Sequence, residues 1–290
     1  METPAKRAIV EVLYGPMASR KAILKPGGSL RVGRTDKADL PVPHDEQMSG
    51  VHFELSLSGD GKACEIFDRG SAGGTFLSGE RVKSAKLSHG DWIHAGSTHF
   101  SFHFEARTAP RPNEVSTLPL AVREEALRTL TGVMARGPLY ALLDAARTDR
   151  VLVMLKEAIE EHWSLYDGIS AVTQASVAPY LIELRDGSGL LSRLVLEGWG
   201  DARGIYFTSK RPRKEVRSHL RKLLMVMREE PGDMVFFRFY DPRVITVVSP
   251  AMNPRQEAEL FGDIEHIYCE DDAGRVLRLS PGHSKTAVSA

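Results

Sequence analysis

A chain of 290 residues, 42% hydrophobic and 26% charged, is long enough for two ordinary domains, each with its own buried core. Lys+Arg and Asp+Glu balance at 38 each, which excludes a global basic field drawing the whole molecule to nucleic acid or an anionic membrane. The N-terminus METPAKRAIVEVLYG lacks an apolar core of signal-peptide length, and no later run approaches the ~20 apolar residues of a membrane helix, so a cytoplasmic protein without a membrane partner is expected. The two cysteines, Cys64 and Cys269, lie far apart and suggest neither a disulfide framework nor a zinc site.

From Ala8 to about Arg107 the chain reads as short strands broken by Gly, Asp or Ser: AIVEVLYG, SLRVGR, VHFELSLSGDG, ACEIFDRG, GTFLSGERV, DWIHAG and THFSFHFEA. Short strands at regular spacing predict an all-β sandwich over residues 1–107. In THFSFHFEA, Phe100, Phe102 and Phe104 alternate with His99, Ser101 and His103. This period of two predicts one buried face and one solvated face. The histidines carry no carboxylate or cysteine at metal-ligand spacing, so no metal is expected there.

ARTAPRPNEVSTLPL, from Ala106 to Leu120, has three prolines and no apolar periodicity, which predicts a Pro-rich linker over 108–120. Beyond it, residues 121–279 read as an α+β (mixed α/β) domain. AVREEALRTLTGVMAR and RKEVRSHLRKLLMVMREE carry apolar stripes at helical spacing, Val122, Ala126, Leu127, Leu130 and Met134 in the first and Val216, Leu220, Leu223, Leu224 and Met227 in the second. PYLIELR, RLVLEG, GIYFTS, MVFFRFY and RVLRLS are strand candidates; LYALLDAA reads as strand or helix by composition. The polar tail, 280–290, is expected to be disordered.

Gly33-Arg34, Ser49-Gly50-Val51-His52, Asp68 leading to GGTFLSGERV, and LSHGDWIHAG follow one another in the order and spacing of a forkhead-associated (FHA) domain, which residues 8–107 resemble. The resemblance implies a β-sandwich whose loops bind phosphothreonine peptides, with Arg34, Ser49, Gly50, Gly73 and Thr75 at the binding site. Gly33 and His52 are implied as its support, His52 bracing the loop without touching phosphate. The residue types suit a phosphate dianion, because a guanidinium offers paired, permanently charged donors, and a hydroxyl with backbone N–H groups completes the grip. Where the family usually carries Asn-Gly-Thr, with Asn reading the peptide backbone, this chain has Ala72-Gly73-Gly74-Thr75. A second Asn-Gly of the family is Ser78-Gly79 here, and the Arg frequent after the motif serine is Gly50. Two readings follow, phosphopeptide binding, as in a phosphothreonine-dependent signalling scaffold, or a purely structural or phosphate-independent docking module.

In MVFFRFYDPRVITVVSP an aromatic strand carries Arg238 and then meets Asp241-Pro242-Arg243, which predicts a strand end with a partly buried Arg-Asp pair. Taken with LYALLDAARTDRVL, SLYDG, VAPYLIEL, GWG and HLRKLL, the region from Leu139 to Cys269 resembles the effector adaptor or chaperone family of bacterial type VI secretion. That family implies a non-enzymatic partner of a type VI effector and of the spike protein, with Arg238, Tyr240, Asp241, Pro242 and Arg243 as its motif. The basic run Lys210, Arg211, Arg213, Lys214, Arg217, Arg221 and Lys222 reads as a solvated helix face or as a patch for an acidic partner. Nucleic acid ranks last, for want of an aromatic platform or recognition motif. GSAGGT lacks the Lys-Ser/Thr of a P-loop, and GDIEHIYCEDD has no second cluster at ligand spacing; neither an enzyme nor a cofactor is expected.

Overall fold

The structure, a computed structural model, describes residues 6–168, 173–227, 232–282 and 284–288. Two compact units divide the chain, residues 1–109 with 156–161 and residues 110–155 with 162–290.

The first unit contains β1 (Ala8–Val12), β2 (Lys21–Leu24), β3 (Ser29–Gly33), β4 (Leu40–Pro41), β5 (Phe53–Leu57), β6 (Cys64–Asp68), β7 (Thr75–Leu77), β8 (Glu80–Val82), β9 (Ser84–Leu87), β10 (Trp92–Ala95) and β11 (Thr98–Phe104). They form two sheets, ordered β2-β1-β11-β10-β7-β8 and β4-β3-β5-β6-β9. Inward-pointing residues of both sheets, among them Val10, Val32, Phe53, Ile66, Phe100 and Phe102, make one core in which each of these six is fully buried. Alternation thus buries the Phe face of β11 as the sequence predicts.

The opposite face of β11 departs from expectation, because Ser101 and His103 are also buried. Segment 156–161 covers it. Lys21 Nζ donates to the Ala158 carbonyl at 2.7 Å, His89 Nε2 lies 3.2 Å from the Glu157 carboxylate, and the His103 ring meets His89 edge-on at 5.1 Å. Burial pushes the His103 imidazole down to about 3, with His89, Lys156 and Lys21 adding to the depression. A cover supplied from some fifty residues downstream leaves no mark on the local pattern.

The second unit is built on a seven-stranded antiparallel sheet, β13-β14-β12-β15-β18-β19-β20, whose strands are β12 (Leu139–Asp144), β13 (His162–Ser164), β14 (Pro179–Glu183), β15 (Gly204–Ser209), β18 (Ile264–Glu270), β19 (Val276–Ser280) and β20 (Ser284–Val288). LYALLD is therefore a strand, buried along its whole length near the sheet centre. A separate ribbon pairs β16 (Met225–Met227) with β17 (Met234–Phe236). Among the described residues the α-helices of known extent are α1 (Leu120–Met134), α2 (Asp149–Lys156), α3 (Leu190–Gly198), α4 (Arg213–Lys222), α5 (Pro242–Val248) and α6 (Pro254–Phe261). RLVLEG, expected as a strand, lies within α3, where Leu190, Leu191, Leu194 and Val195 form a helical stripe.

The predicted helix over RKEVRSHLRKLLMVMREE ends at Lys222, and Met225–Met227 turn into β16. Its last residues, 228–230, lie outside the described residues. The tail also differs: Ser284–Val288 pairs with β19 across a turn in which Gly282 takes φ +91°, while 283 and 289–290 lie outside the described residues. The Pro-rich segment is held to the second unit. Pro112–Glu114 form a 3-10 turn, Ser116 N–H donates to the Glu197 carbonyl at 2.8 Å, and the Arg203 guanidinium donates to the Glu114 carbonyl. Backbone contacts of this kind need no apolar periodicity.

Candidate functional site

At the end of β3 the chain turns where a Cβ on Gly33 would collide with the Gly50 carbonyl and lie 2.7 Å from Val51 Cα. Glycine alone fits this approach. It lets Arg34 N–H donate to the Ser49 carbonyl at 2.9 Å and Thr35 N–H to the Gly50 carbonyl at 3.2 Å, so two segments fifteen residues apart are clasped together. Arg34 is exposed, and among the described residues its guanidinium has no hydrogen-bond or ionic partner.

His52, fully buried, supports the loop from beneath. Its Nδ1 accepts from Ser49 N–H at 3.1 Å, which places the ring proton on Nε2, the atom 3.1 Å from the Gly74 carbonyl. Ser49 Oγ in turn accepts from Ala72 N–H at 3.1 Å, leaving its own O–H available to donate. Asp68 anchors the far side of the same loop. Its carboxylate accepts from the N–H groups of Gly70 and Ser71 and from the hydroxyls of Ser71 and Thr75. Burial works to raise this carboxyl, but the Ser71 and Thr75 bonds hold it below its ordinary value.

Arg34, Ser49, Gly50 and Gly73 are thus gathered around one pair of loops. Gly73 is exposed, and neither its N–H nor that of Gly50 is engaged by a hydrogen bond among the described residues. Thr75, placed at the binding site by resemblance, is fully buried with its hydroxyl 2.7 Å from Asp68, so it braces the loop and presents no group to a ligand. The result is a set of open donors on adjoining loops: one guanidinium, one hydroxyl and two backbone N–H groups.

In the second unit Arg238 forms an ion pair with Asp144, whose side chain is 1% exposed at the end of β12. LYALLDAA and FFRFYDPR therefore meet through their charged residues. Phe239 and Tyr240 are buried in the core, and burial raises the Tyr240 hydroxyl. The aromatic strand stops at Phe236, short of the expected Asp241. Asp241 instead caps α5, accepting from Arg243 N–H at 3.0 Å and pairing with its guanidinium at 2.6 Å, with Pro242 in the first turn. An Asp-Pro ahead of an apolar run is a helix-start signal, and it was available in the sequence. Arg243, Arg111, Arg147, Asp201 and Arg203 line a cavity of about 900 Å³ that no sequence motif announces.

The basic run is largely taken up by local contacts. Lys210 pairs with Glu265 at 2.8 Å, Arg211 with Asp263 at 3.1 Å, and Arg213 lies 3.4 Å over the Trp163 ring. Arg217 and Arg221 share a helix face, and they use it to clasp the 164–167 segment: Arg217 pairs with Asp167 at 2.7 Å, and Arg221 donates to the Leu165 carbonyl at 3.0 Å. Lys214 remains exposed. Among the described residues no cluster of three or more His, Cys, Asp or Glu could hold a metal ion, and no helix is long and apolar enough to cross a membrane.

Comparison with known proteins agrees with the division into two parts. Residues 30–96 match the FHA domain, and residues 139–259 match a domain of unknown function, DUF4123. The chain therefore joins an N-terminal FHA domain, a non-catalytic interaction module, to a DUF4123 domain of mixed α/β structure. Among solved structures it is similar to the FHA domain of the CT664 protein from Chlamydia trachomatis, at 24% identity, covering 33% of this chain and 96% of that one with a TM-score of 0.32. It is also similar to the FHA domain of an Arabidopsis thaliana hypothetical protein, at 24% identity, 37% and 92% coverage and a TM-score of 0.33. A third likeness is to FHA-1 of Mycobacterium tuberculosis Rv1747, at 21% identity, 34% and 97% coverage and a TM-score of 0.30. No curated protein sequence matches the chain.

Proposed function

We propose that this protein is a non-enzymatic docking scaffold whose FHA domain captures a phosphothreonine-containing partner protein through Arg34, Ser49, Gly50 and Gly73. The open donor set carries this reading. An exposed guanidinium with no acidic partner among the described residues, beside a hydroxyl that already accepts one bond and two N–H groups unengaged there, suits a phosphate dianion. His52 and Asp68 hold these donors in place, so little loop ordering is needed on binding. Full-length protein titrated with a phosphothreonine peptide library and its unphosphorylated counterpart tests the proposal: binding confined to the phosphorylated set supports it, and silence in both sets sinks it.

A second reading assigns the DUF4123 domain to loading a type VI secretion effector onto the spike protein. The observation favouring it, beyond the resemblance of FRFYDPR and LYALLDAA, is an apolar surface on the β16-β17 ribbon. Met225 pairs across the strands with Phe236, and Met227 with Met234, and all four are exposed. Exposed apolar clusters of this kind mark protein-docking surfaces, and methionine adapts to varied partners. Co-purification with a spike protein and an effector encoded beside it is the test; loss of both from the purified complex removes this reading and leaves the first intact.

A further inference from the structure

The first unit contains seven arginines, Arg7, Arg20, Arg31, Arg34, Arg69, Arg81 and Arg107. Four pair with a carboxylate: Arg7 with Glu105, Arg20 with Glu161, Arg31 with Asp39 and Arg69 with Glu54. Among the described residues Arg34, Arg81 and Arg107 have no such partner. Arg34 belongs to the phosphate site described above. Arg81 belongs to the same loop system by a contact the sequence does not reveal.

Arg81 stands on β8, opposite Phe76, and is exposed. Its guanidinium lies against Gly74, so closely that a Cβ there would overlap Nε and lie 2.9 Å from Cζ and from Nη2. Gly74 has φ +84° and gives its carbonyl to His52, so the residue beneath Arg81 is locked to the support of the recognition loop. Glycine at position 74 is favoured by its left-handed backbone, and the absence of a Cβ there lets the Arg81 guanidinium settle on it. The packing fixes a long side chain that would otherwise be free in solvent, lowering the entropy lost when it takes a ligand. Its five N–H donors find no acceptor in the described protein.

On the other side of that loop, Ala72 and Gly73 lack the side chain with which a peptide backbone would be read. We infer that Arg81 supplies the missing discrimination by charge: the bound phosphothreonine segment carries Asp or Glu beside the phosphorylated residue, and Arg81 pairs with that carboxylate. This rests on the phosphothreonine reading and adds the class of sequence the site prefers. Selection by a guanidinium differs in kind from selection by an amide. It acts on side-chain charge, weakens with salt, and leaves the phosphate contact at Arg34 unchanged.

The experiment uses full-length protein and fluorescence anisotropy with phosphothreonine peptides in which a single Asp, or Lys as control, is walked through the positions on either side of the phosphorylated residue. At one position Asp is expected to bind about fivefold more tightly than Lys, the size of a charge-assisted contact at a partly exposed site. Arg81→Glu reverses the order, and Arg81→Gln abolishes the difference while changing affinity for an uncharged flank by less than about twofold. If peptides bind and an Asp preference persists unchanged in Arg81→Gln, the inference fails and the phosphothreonine reading stands. A wild type that binds phosphopeptides with no charge preference also overturns it. Failure of wild type to bind any phosphopeptide overturns both, whereas phosphopeptide binding that Arg34→Ala weakens, with no change of flank preference in Arg81→Gln, overturns this inference alone. Arg81→Gln removes the charge with little change of shape and keeps the test open if Arg81→Glu does not fold.

Discussion

Replacing Gly73 by Asn will tighten the binding of a phosphothreonine peptide. The substitution is sterically open: a Cβ at this position finds its nearest neighbour, the Gln47 carbonyl oxygen, at 3.9 Å, and Gly73 is not among the residues held in the left-handed region. It restores a side-chain amide in a loop already fixed by Ser49, His52 and Asp68, so the new group inherits an ordered backbone. One neutral hydrogen bond contributes about 0.5–1.5 kcal/mol net, or roughly a 2- to 12-fold fall in Kd. Gly73→Ala is the control, since it shares the backbone stiffening and lacks the amide. Isothermal titration of the wild type, Gly73→Asn and Gly73→Ala with one phosphorylated peptide and its unphosphorylated twin reads the effect. Equal affinities for the Asn and Ala variants would refute the reasoning, as would tightening that does not depend on phosphate.

His52→Ala removes the group that links Ser49 N–H to the Gly74 carbonyl, leaves both unsatisfied beside a cavity, and is expected to lower stability by about 2 kcal/mol or more in urea titrations. Phosphopeptide affinity should fall with it, although the ring is fully buried beneath the loop. His103 gives a pH dependence: neutral in the fold down to about pH 3, it takes up its proton at the ordinary value when unfolded. Its contribution to stability is therefore intact above about pH 6.5 and is lost as pH falls, by up to about 1.4 kcal/mol per unit. His103→Phe will flatten that part of the stability profile, measured as Tm from pH 4 to pH 7. In the second unit Arg238→Ala leaves Asp144 buried without its cation and is expected to cost about 2–3 kcal/mol, less than a fully buried pair because Arg238 is 41% exposed. Arg238→Lys will recover part of it.

Much of the sandwich was legible because its signals are local. Turn residues mark each strand end, and Phe100 and Phe102 alternate as a half-buried strand requires. The pairing of the two loops was legible too, since Gly33, Arg34, Ser49 and His52, which clasp and support them, stand at fixed places along the chain. What escaped depends on side-chain contacts that leave no periodic mark, whether seven residues apart or some fifty. Thr75 faces inward because Asp68 holds it, His103 is buried because residues 156–161 lie over it, and Arg81 reaches Gly74 through a side chain whose direction no pattern records. In the second unit LYALLD was ambiguous because a strand buried along its whole length has no period to read. Asp241 misled differently: the residues that end a strand also begin a helix, and the capping bond to Arg243 N–H decides between them.

The measurement that bears most directly on the scaffold reading is capture of phosphothreonine peptides by the full-length protein, wild type against Arg34→Ala and Arg34→Lys. Arg34→Ala is expected to weaken binding by at least about tenfold, through loss of a charge-assisted contact of roughly 1.5–3 kcal/mol. Arg34→Lys recovers part of the loss, as a point charge in place of a fork. Undiminished capture by Arg34→Ala, or equal capture of unphosphorylated peptides by the wild type, would contradict the account.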